Sequence, residues 1–305
     1  MGNRWLKMSI LKKIVSLVRK REGLTVAFQL SPAVFWIVFF LLIPLGILLI
    51  YSFWNMRAGM LIPEWGFHNY IALFTTREGM YIKLLLRSLG IAVLITVGAI
   101  AIAYPVAYFI SFRVERYKYS WILLMMGPYL VSWVILILGW RLTLGYTGLL
   151  NYFAQAVGLI QEPMRGMWGN WGTVVFLLIV GWAPFIILPL FVSLEKIDRS
   201  VLEAAADLGA NSVKRFLKIT LPLSSPGLLV ATFLVLIPSF GEFVTPTLAG
   251  GASGTMYGMA VEYAFTGMLQ WPFGSALAVP LMIVTLITAT MLIRAIGLQK
   301  LMESL

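Results

Sequence analysis

The residue types that could do chemistry are few, and their placement is unusual. Glu242 is the one acid near the end of an otherwise charge-free apolar run, next to Gly241 and between Pro238 and Pro246. An ionisable group at such a depth is costly unless it faces water or a partner. Prolines on both sides imply a locally broken helix, tolerated in a membrane where freed carbonyls line a cavity or meet another helix. A carboxylate there would attract a cation moving along a path; at the outer interface it would instead be a solvated helix end. Phe240, Phe243 and Tyr104 offer ring faces to the same cation, or a gate, or ordinary packing between helices. Arg87 and Arg141, near outer ends of spans, either snorkel or pair with Glu262 or with the acids of a docked protein. No catalytic group stands out: there is no cysteine, His68 is the single histidine, and neither a His-Glu-x-x-His motif nor a nucleophile with an adjacent base is present. One imidazole cannot build a histidine metal site, so packing at a surface or interface is its expected role.

These residues sit in a chain made for lipid. Of its 305 residues 60% are hydrophobic and 11% charged, with a mean hydropathy of +0.91, too little polar material to cover a water-soluble globule. The net charge of +11 does not point to nucleic acid, because the basic residues gather at the ends of apolar segments. A membrane crossing needs about 20 apolar residues. Charge-free runs of that length recur at Gly23–Met56, Ser88–Phe112, Tyr119–Trp140, Gly166–Leu194, Ile219–Gly241 and Tyr263–Ile293. The fold class is therefore an all-α membrane protein of about six transmembrane helices, with parts of the longer runs re-entrant or interfacial.

Basic residues orient the spans. Seven precede the first, Arg113, Arg116 and Lys118 separate the second from the third, and Lys196, Arg199, Lys214, Arg215 and Lys218 separate the fourth from the fifth, whereas Leu248–Gln270 has none. The positive-inside rule puts these basic loops and both termini in the cytoplasm. The expected layout is a basic amphipathic segment on the inner leaflet at 1–23, a retained first span at 24–53 and a periplasmic loop at 54–83. A core of five spans follows at 84–295, with a cytoplasmic loop at 195–222 inside it, then a cytoplasmic tail at 296–305. Trp168, Trp171 and Trp271 fall where an outer aromatic belt would lie.

The cytoplasmic loop reads as two short helices joined at a turn. Ser200-Val201-Leu202-Glu203 fits a capping box, Gly209 suits the left-handed residue that ends a helix, and Asn211 or Ser212 can cap the next one. An ordinary capped hairpin would account for each of these singly. It does not account for the joint spacing of Glu203-Ala204-Ala205, Gly209, Ile219, Leu221 and Pro222.

That spacing resembles the E-A-A-x(3)-G-x(9)-I-x-L-P loop of ABC importer permeases at every fixed position. The likeness extends from the first span to the sixth. Tyr104-Pro105-Val106-Ala107-Tyr108, the string through Ala206, Asp207 and Leu208 to Gly209, and Pro238 through Pro246 followed by Leu248–Gly251 are similar to spermidine/putrescine permeases. Branches that move ferric iron, opines or phosphonates share parts of these strings. The resemblance implies the type I importer fold and a coupling role for Glu203, Ala204, Ala205, Asp207, Gly209, Ile219, Leu221 and Pro222. Small alanines would let a helix lie close in an ATPase groove, the glycine would set the angle between two helices, and Pro222 would start the next span rigidly.

Further expectations follow from the resemblance. They are two separate ATPase subunits holding ATP and Mg, a second, related permease completing a heterodimer, a periplasmic substrate-binding protein, surrounding membrane lipid, and residence in a bacterial inner membrane. The chain has no Gly-x(4)-Gly-Lys-Ser/Thr phosphate loop, so hydrolysis would belong to a partner, and the chain itself would be a non-enzymatic subunit with no cofactor. An ion-coupled secondary transporter is the competing class, but it would need intramembrane acids or matching broken helices in two halves, and neither is evident.

Overall fold

The computed structural model describes residues 29–296; the basic segment at 1–23 and the tail beyond 296 lie outside them. Helix α1 (Gln29–Tyr51) is the first crossing. Pro44 has no N–H to give the carbonyl of Phe40, and the helix absorbs the defect in a π-turn at Val38–Leu42. A small outer cap follows. Strands β1 (Asn55–Arg57) and β2 (Met60–Ile62) pair antiparallel across a turn in which Ala58 and Gly59 both have positive φ, the geometry that matches hairpin twist. Helix α2 (His68–Thr75) is tied back to the end of α1: Asn69 Nδ2 donates to the carbonyls of Ser52 and Trp54, and the Tyr70 and Ser52 hydroxyls bond at 2.6 Å. His68 is exposed at the start of α2.

The long helix α3 (Met80–Arg113), α4 (Lys118–Met126), α5 (Trp133–Leu144), α6 (Leu149–Ala156) and α7 (Trp171–Glu195) come next. The third crossing, expected as one helix over Tyr119–Trp140, is two. Gly127-Pro128 breaks the run into α4 and α5, because the proline lacks a donor and its ring disfavours helix at the residue before it. By length and composition the stretch Trp133–Ala156 also qualifies as a span, but the side chains assign the crossing to α4–α5. Tyr119 meets Phe191, Tyr129 meets Phe185 and Trp140 meets Phe176, at ring separations of 5.4, 6.3 and 5.1 Å. That ladder runs antiparallel along the whole of α7. At its foot, Lys118 Nζ pairs with Glu195 at 2.8 Å.

The inner loop carries α8 (Arg199–Asp207) and α9 (Ser212–Leu223), and α9 meets α10 (Ser225–Phe240) at a bend of 67°. Two short outer helices, α11 (Val244–Ala249) and α12 (Tyr257–Thr266), precede the last crossing, α13 (Trp271–Ile296). The crossings are α1, α3, α4–α5, α7, α10 and α13. Helices α3, α7 and α10 form the core around Ile95, Ala99, Ile186, Leu190, Ala231 and Val235. Glycine permits their close approach. A Cβ on Gly98 would collide with Ile179, and one on Gly227 would stand 2.7 Å from the Pro189 carbonyl oxygen.

Candidate functional site

Two regions carry the residues singled out above, one at the inner face and one around the link after α10. The inner region is the α8–α9 hairpin. Its first helix begins two residues earlier than expected: Asp198, not Ser200, is the cap, and Asp198 Oδ1 accepts the Ser200 N–H at 2.9 Å. The Ser200–Glu203 capping box therefore does not form. An ionised cap complements the positive helix start better than a serine does, and the Ser200 hydrogen bonds hold the Asp198 carboxyl below the usual carboxylate range.

The turn behaves as expected. Gly209 has φ +80°, and the N–H groups of Ala210 and Gly209 return to the carbonyls of Ala205 and Ala206 at 3.0 and 2.9 Å, the paired bonds of a Schellman ending. Asn211 Oδ1 accepts the Lys214 N–H at 2.8 Å and caps α9. Glu203, Ala204 and Asp207 point to solvent, and Leu208 at the tip is 89% exposed. Arg215 holds the hairpin shut, donating from one nitrogen to the Leu202 carbonyl and from another to Ser212 Oγ, each at 3.4 Å. Sequence reasoning counted Arg215 only as an inner-face charge.

The exit from the loop differs from expectation. Leu221 packs with Phe216 and Leu202 against the core, but Pro222 is exposed in the last turn of α9 and does not start the span. Pro222 and Pro226 both lack an N–H, so neither the Lys218 nor the Pro222 carbonyl receives its helical bond. Ser224 takes up the break: its N–H bonds the Thr220 carbonyl at 2.9 Å and its hydroxyl the Leu221 carbonyl at 3.2 Å. The loop and the residue at the far end of α10 are consequently not one straight element.

Glu242 lies in the link between α10 and α11, half-buried. Its position can be read along two helices. The Trp133 ring, which reaches Glu242 through Thr245, is wedged against Gly181, ten residues from Trp171 at the outer end of α7. Gly241 faces Leu281, ten residues from Trp271 at the outer end of α13. Ten helical residues span about 15 Å. Glu242 thus lies about 15 Å along α7 and α13 from their Trp171 and Trp271 ends.

The surrounding backbone is irregular. After α11 the chain reaches the outer rim, where Ser253 accepts a guanidinium hydrogen bond from Arg87 at its carbonyl and the Trp171 N–H at its hydroxyl. It then dips back so that Gly258 presses on the Gly241 and Glu242 carbonyls, where a Cβ would stand 2.5 and 2.6 Å from the two oxygens. Glu242 Oε1 accepts the Thr245 N–H at 2.9 Å and the Thr245 hydroxyl at 3.3 Å, and that hydroxyl receives the Trp133 indole N–H at 2.9 Å. Oε2 has no hydrogen-bond partner among the described residues. The ion pairs found among those residues, Arg57–Glu64 and Lys118–Glu195, do not involve Glu242. Arg87 does not pair with Glu262, which accepts from Thr266 instead.

The other three aromatic candidates do not gather here. Phe243 is 43% exposed beside Glu242, but Phe240 is buried at 3% exposure, and Tyr104 at 7% lies near the inner end, bonded to Ser224. Tyr104 and Phe240 pack against other helices of this chain. Trp133 was not singled out by sequence, and nothing local marks it, since its partner Thr245 lies 112 residues away.

A bundle of six crossings with a broken helix beside a half-buried acid and a capped hairpin at the inner face fits a membrane transport subunit. The chain belongs to the family described as binding-protein-dependent transport system inner membrane component, whose profile matches residues 99–302. It is 32% identical over 250 residues to the spermidine/putrescine transport system permease protein PotB of Salmonella typhimurium, covering 82% of this chain and 86% of the relative. It is 33% identical over 267 residues to the PotB protein of Haemophilus influenzae, covering 86% and 89%. Its fold resembles a chain of a bacterial alginate ABC transporter solved with its alginate pentasaccharide-bound periplasmic protein, with a TM-score of 0.71 at 16% identity over 92% of this chain and 96% of that one. It is thus a multi-pass inner-membrane permease of a binding-protein-dependent ABC importer, the transport component and not a catalytic one.

Proposed function

We propose that this permease moves polyamines of the putrescine/spermidine class inward, lining one half of a path completed by a second, related permease. The observation that carries the substrate class is Glu242: a half-buried carboxylate in the break between α10 and α11, with Oε1 committed to Thr245 and Oε2 unbonded among the described residues. A polyamine is an extended cation, and a half-desolvated carboxylate beside the exposed ring of Phe243 gives it both a counter-charge and a π-face. The likeness to PotB proteins supports the same class.

The drive comes from two ATPase subunits, which hold ATP and Mg and dock on the α8–α9 hairpins of the two permeases. Glu203, Ala204, Ala205, Asp207 and Gly209 form the docking face, with the exposed Leu208 at its tip, while Ile219, Leu221 and Pro222 join it to the body. Substrate arrives from a periplasmic binding protein. ATP closes the ATPase pair, and the hairpins carry that closure into the spans. The test is uptake of labelled spermidine and putrescine by the complete complex in proteoliposomes, with ferric iron, opines and phosphonates as competitors. ATP-dependent uptake of the amines, resisted by the competitors, is expected. Preferential uptake of any competitor would replace the substrate class, and gradient-driven uptake by the permease alone would overturn the importer reading.

A further inference from the structure

Resting on the coupling role of the hairpin, we infer that Tyr104 is a positioning residue that joins the inner lever to a second span, so that one displacement moves α3 and α10 together. The bend between α9 and α10 falls at Ser224, whose side chain is fully buried. Ser224 Oγ donates to the Leu221 carbonyl at 3.2 Å, so in its 2.8 Å contact with Tyr104 the phenol is the donor and the serine the acceptor. The hydrogen bond thus crosses from the inner part of α3 to the corner of the lever.

Rings support the same joint. Phe216, in the π-turn of α9 over Phe216–Thr220, meets Tyr104 edge-on at 5.6 Å and 87° and Tyr108 at 6.3 Å and 74°. Tyr104 and Tyr108 are four residues apart and share one face of α3. Between them Pro105 withholds an N–H from the Ala101 carbonyl, which makes α3 compliant at the level where the lever attaches. If the lever swung while α3 stayed put, two buried hydroxyls would lose partners in apolar surroundings. The arrangement favours joint movement, whereas a bare hinge at Ser224 would drive α10 alone.

The complete complex in proteoliposomes tests this through substrate imported per ATP hydrolysed. Tyr104→Phe keeps the ring against Phe216 and removes the hydroxyl, and Ser224→Ala removes the acceptor. Each should lower the yield per ATP by about five-fold, the factor a buried hydrogen bond carries, and the double variant should fall no further. Wild-type yields in both single variants, or losses that multiply in the double, would overturn the joint. A second measurement needs no ATPase. The chain has no cysteine, so Ile102→Cys and Val213→Cys, both exposed positions, can carry spin labels in nanodiscs. A narrow distance distribution that broadens on Tyr104→Phe is expected, and equal widths in the two proteins would refute the tie. If the wild-type complex shows no binding-protein-stimulated hydrolysis, the importer reading fails, while the distance distribution still judges the joint.

Discussion

The indole N–H of Trp133 donates to the hydroxyl of Thr245 at 2.9 Å, joining the start of α5 to the short helix α11. Through that hydroxyl it also reaches Glu242 Oε1. The acid proposed to meet substrate is therefore held by one oxygen from two directions, and its charge is displayed by the other.

Glu242→Gln separates charge from cap. The glutamine Oε1 can still accept the Thr245 N–H, so insertion and assembly should be intact while the counter-charge is gone. Charged hydrogen bonds of ~1.5–3 kcal/mol correspond to roughly ten-fold or more, so spermidine uptake in proteoliposomes should fall at least that far. Unchanged uptake together with an unchanged preference for amines over neutral solutes would remove Glu242 from the path.

Gly181 makes room for Trp133. An alanine Cβ there would meet the indole ring, forcing Trp133 to shift and stretching its bond to Thr245. Overpacking of this kind costs ~1–3 kcal/mol. Gly181→Ala should lower the midpoint of thermal unfolding in detergent; a midpoint equal to wild type would mean that the ring has slack.

Gly209 is at φ +80°, where a side chain costs ~1–2 kcal/mol. Gly209→Val should spoil the angle between α8 and α9, and the ATPase subunits should co-purify poorly with a permease that still inserts. Full recovery of the ATPase would contradict the docking assigned to this hairpin.

Asp198 links the hairpin to pH. Its carboxyl is held below the usual carboxylate range by Ser200, so the cap's contribution is present above the unfolded carboxylate range and is lost as pH falls through the lowered folded value. ATPase association followed by light scattering should hold from neutral into mildly acid solution and weaken below that. Asp198→Asn should flatten the acid limb attributable to this group, and an unaltered limb would assign it elsewhere.

Lys118 ties three helix ends, bonding both Glu195 oxygens at 2.8 and 3.0 Å and the Ser111 carbonyl at 2.9 Å. Glu195 is partly exposed, so it rehydrates when the lysine is removed. Lys118→Met should cost only about 1 kcal/mol in denaturant titration; a loss several times larger would show that the inner ends of α3, α4 and α7 depend on this pair.

What the sequence determined alone is local or additive. Apolar run lengths set six crossings, loop charges their sidedness, and caps within a few residues of each helix end the outline of the hairpin, including Gly209 and Asn211. Even there Ser200 lost to Asp198, because the helix start depends on where α7 releases the chain. Tertiary structure decided what depends on helices meeting. It sent Tyr104 and Phe240 inward while leaving Phe243 exposed, and it set Trp133 on Thr245 and Arg215 on the Leu202 carbonyl. It also bent the lever away from α10 by 67° at Ser224. Tyr104 and Ser224 are 120 residues apart, and no periodicity or motif encodes such a meeting. It follows from how closely α3, α7 and α10 approach, which small residues such as Gly98 and Gly227 permit and which only the packed bundle specifies.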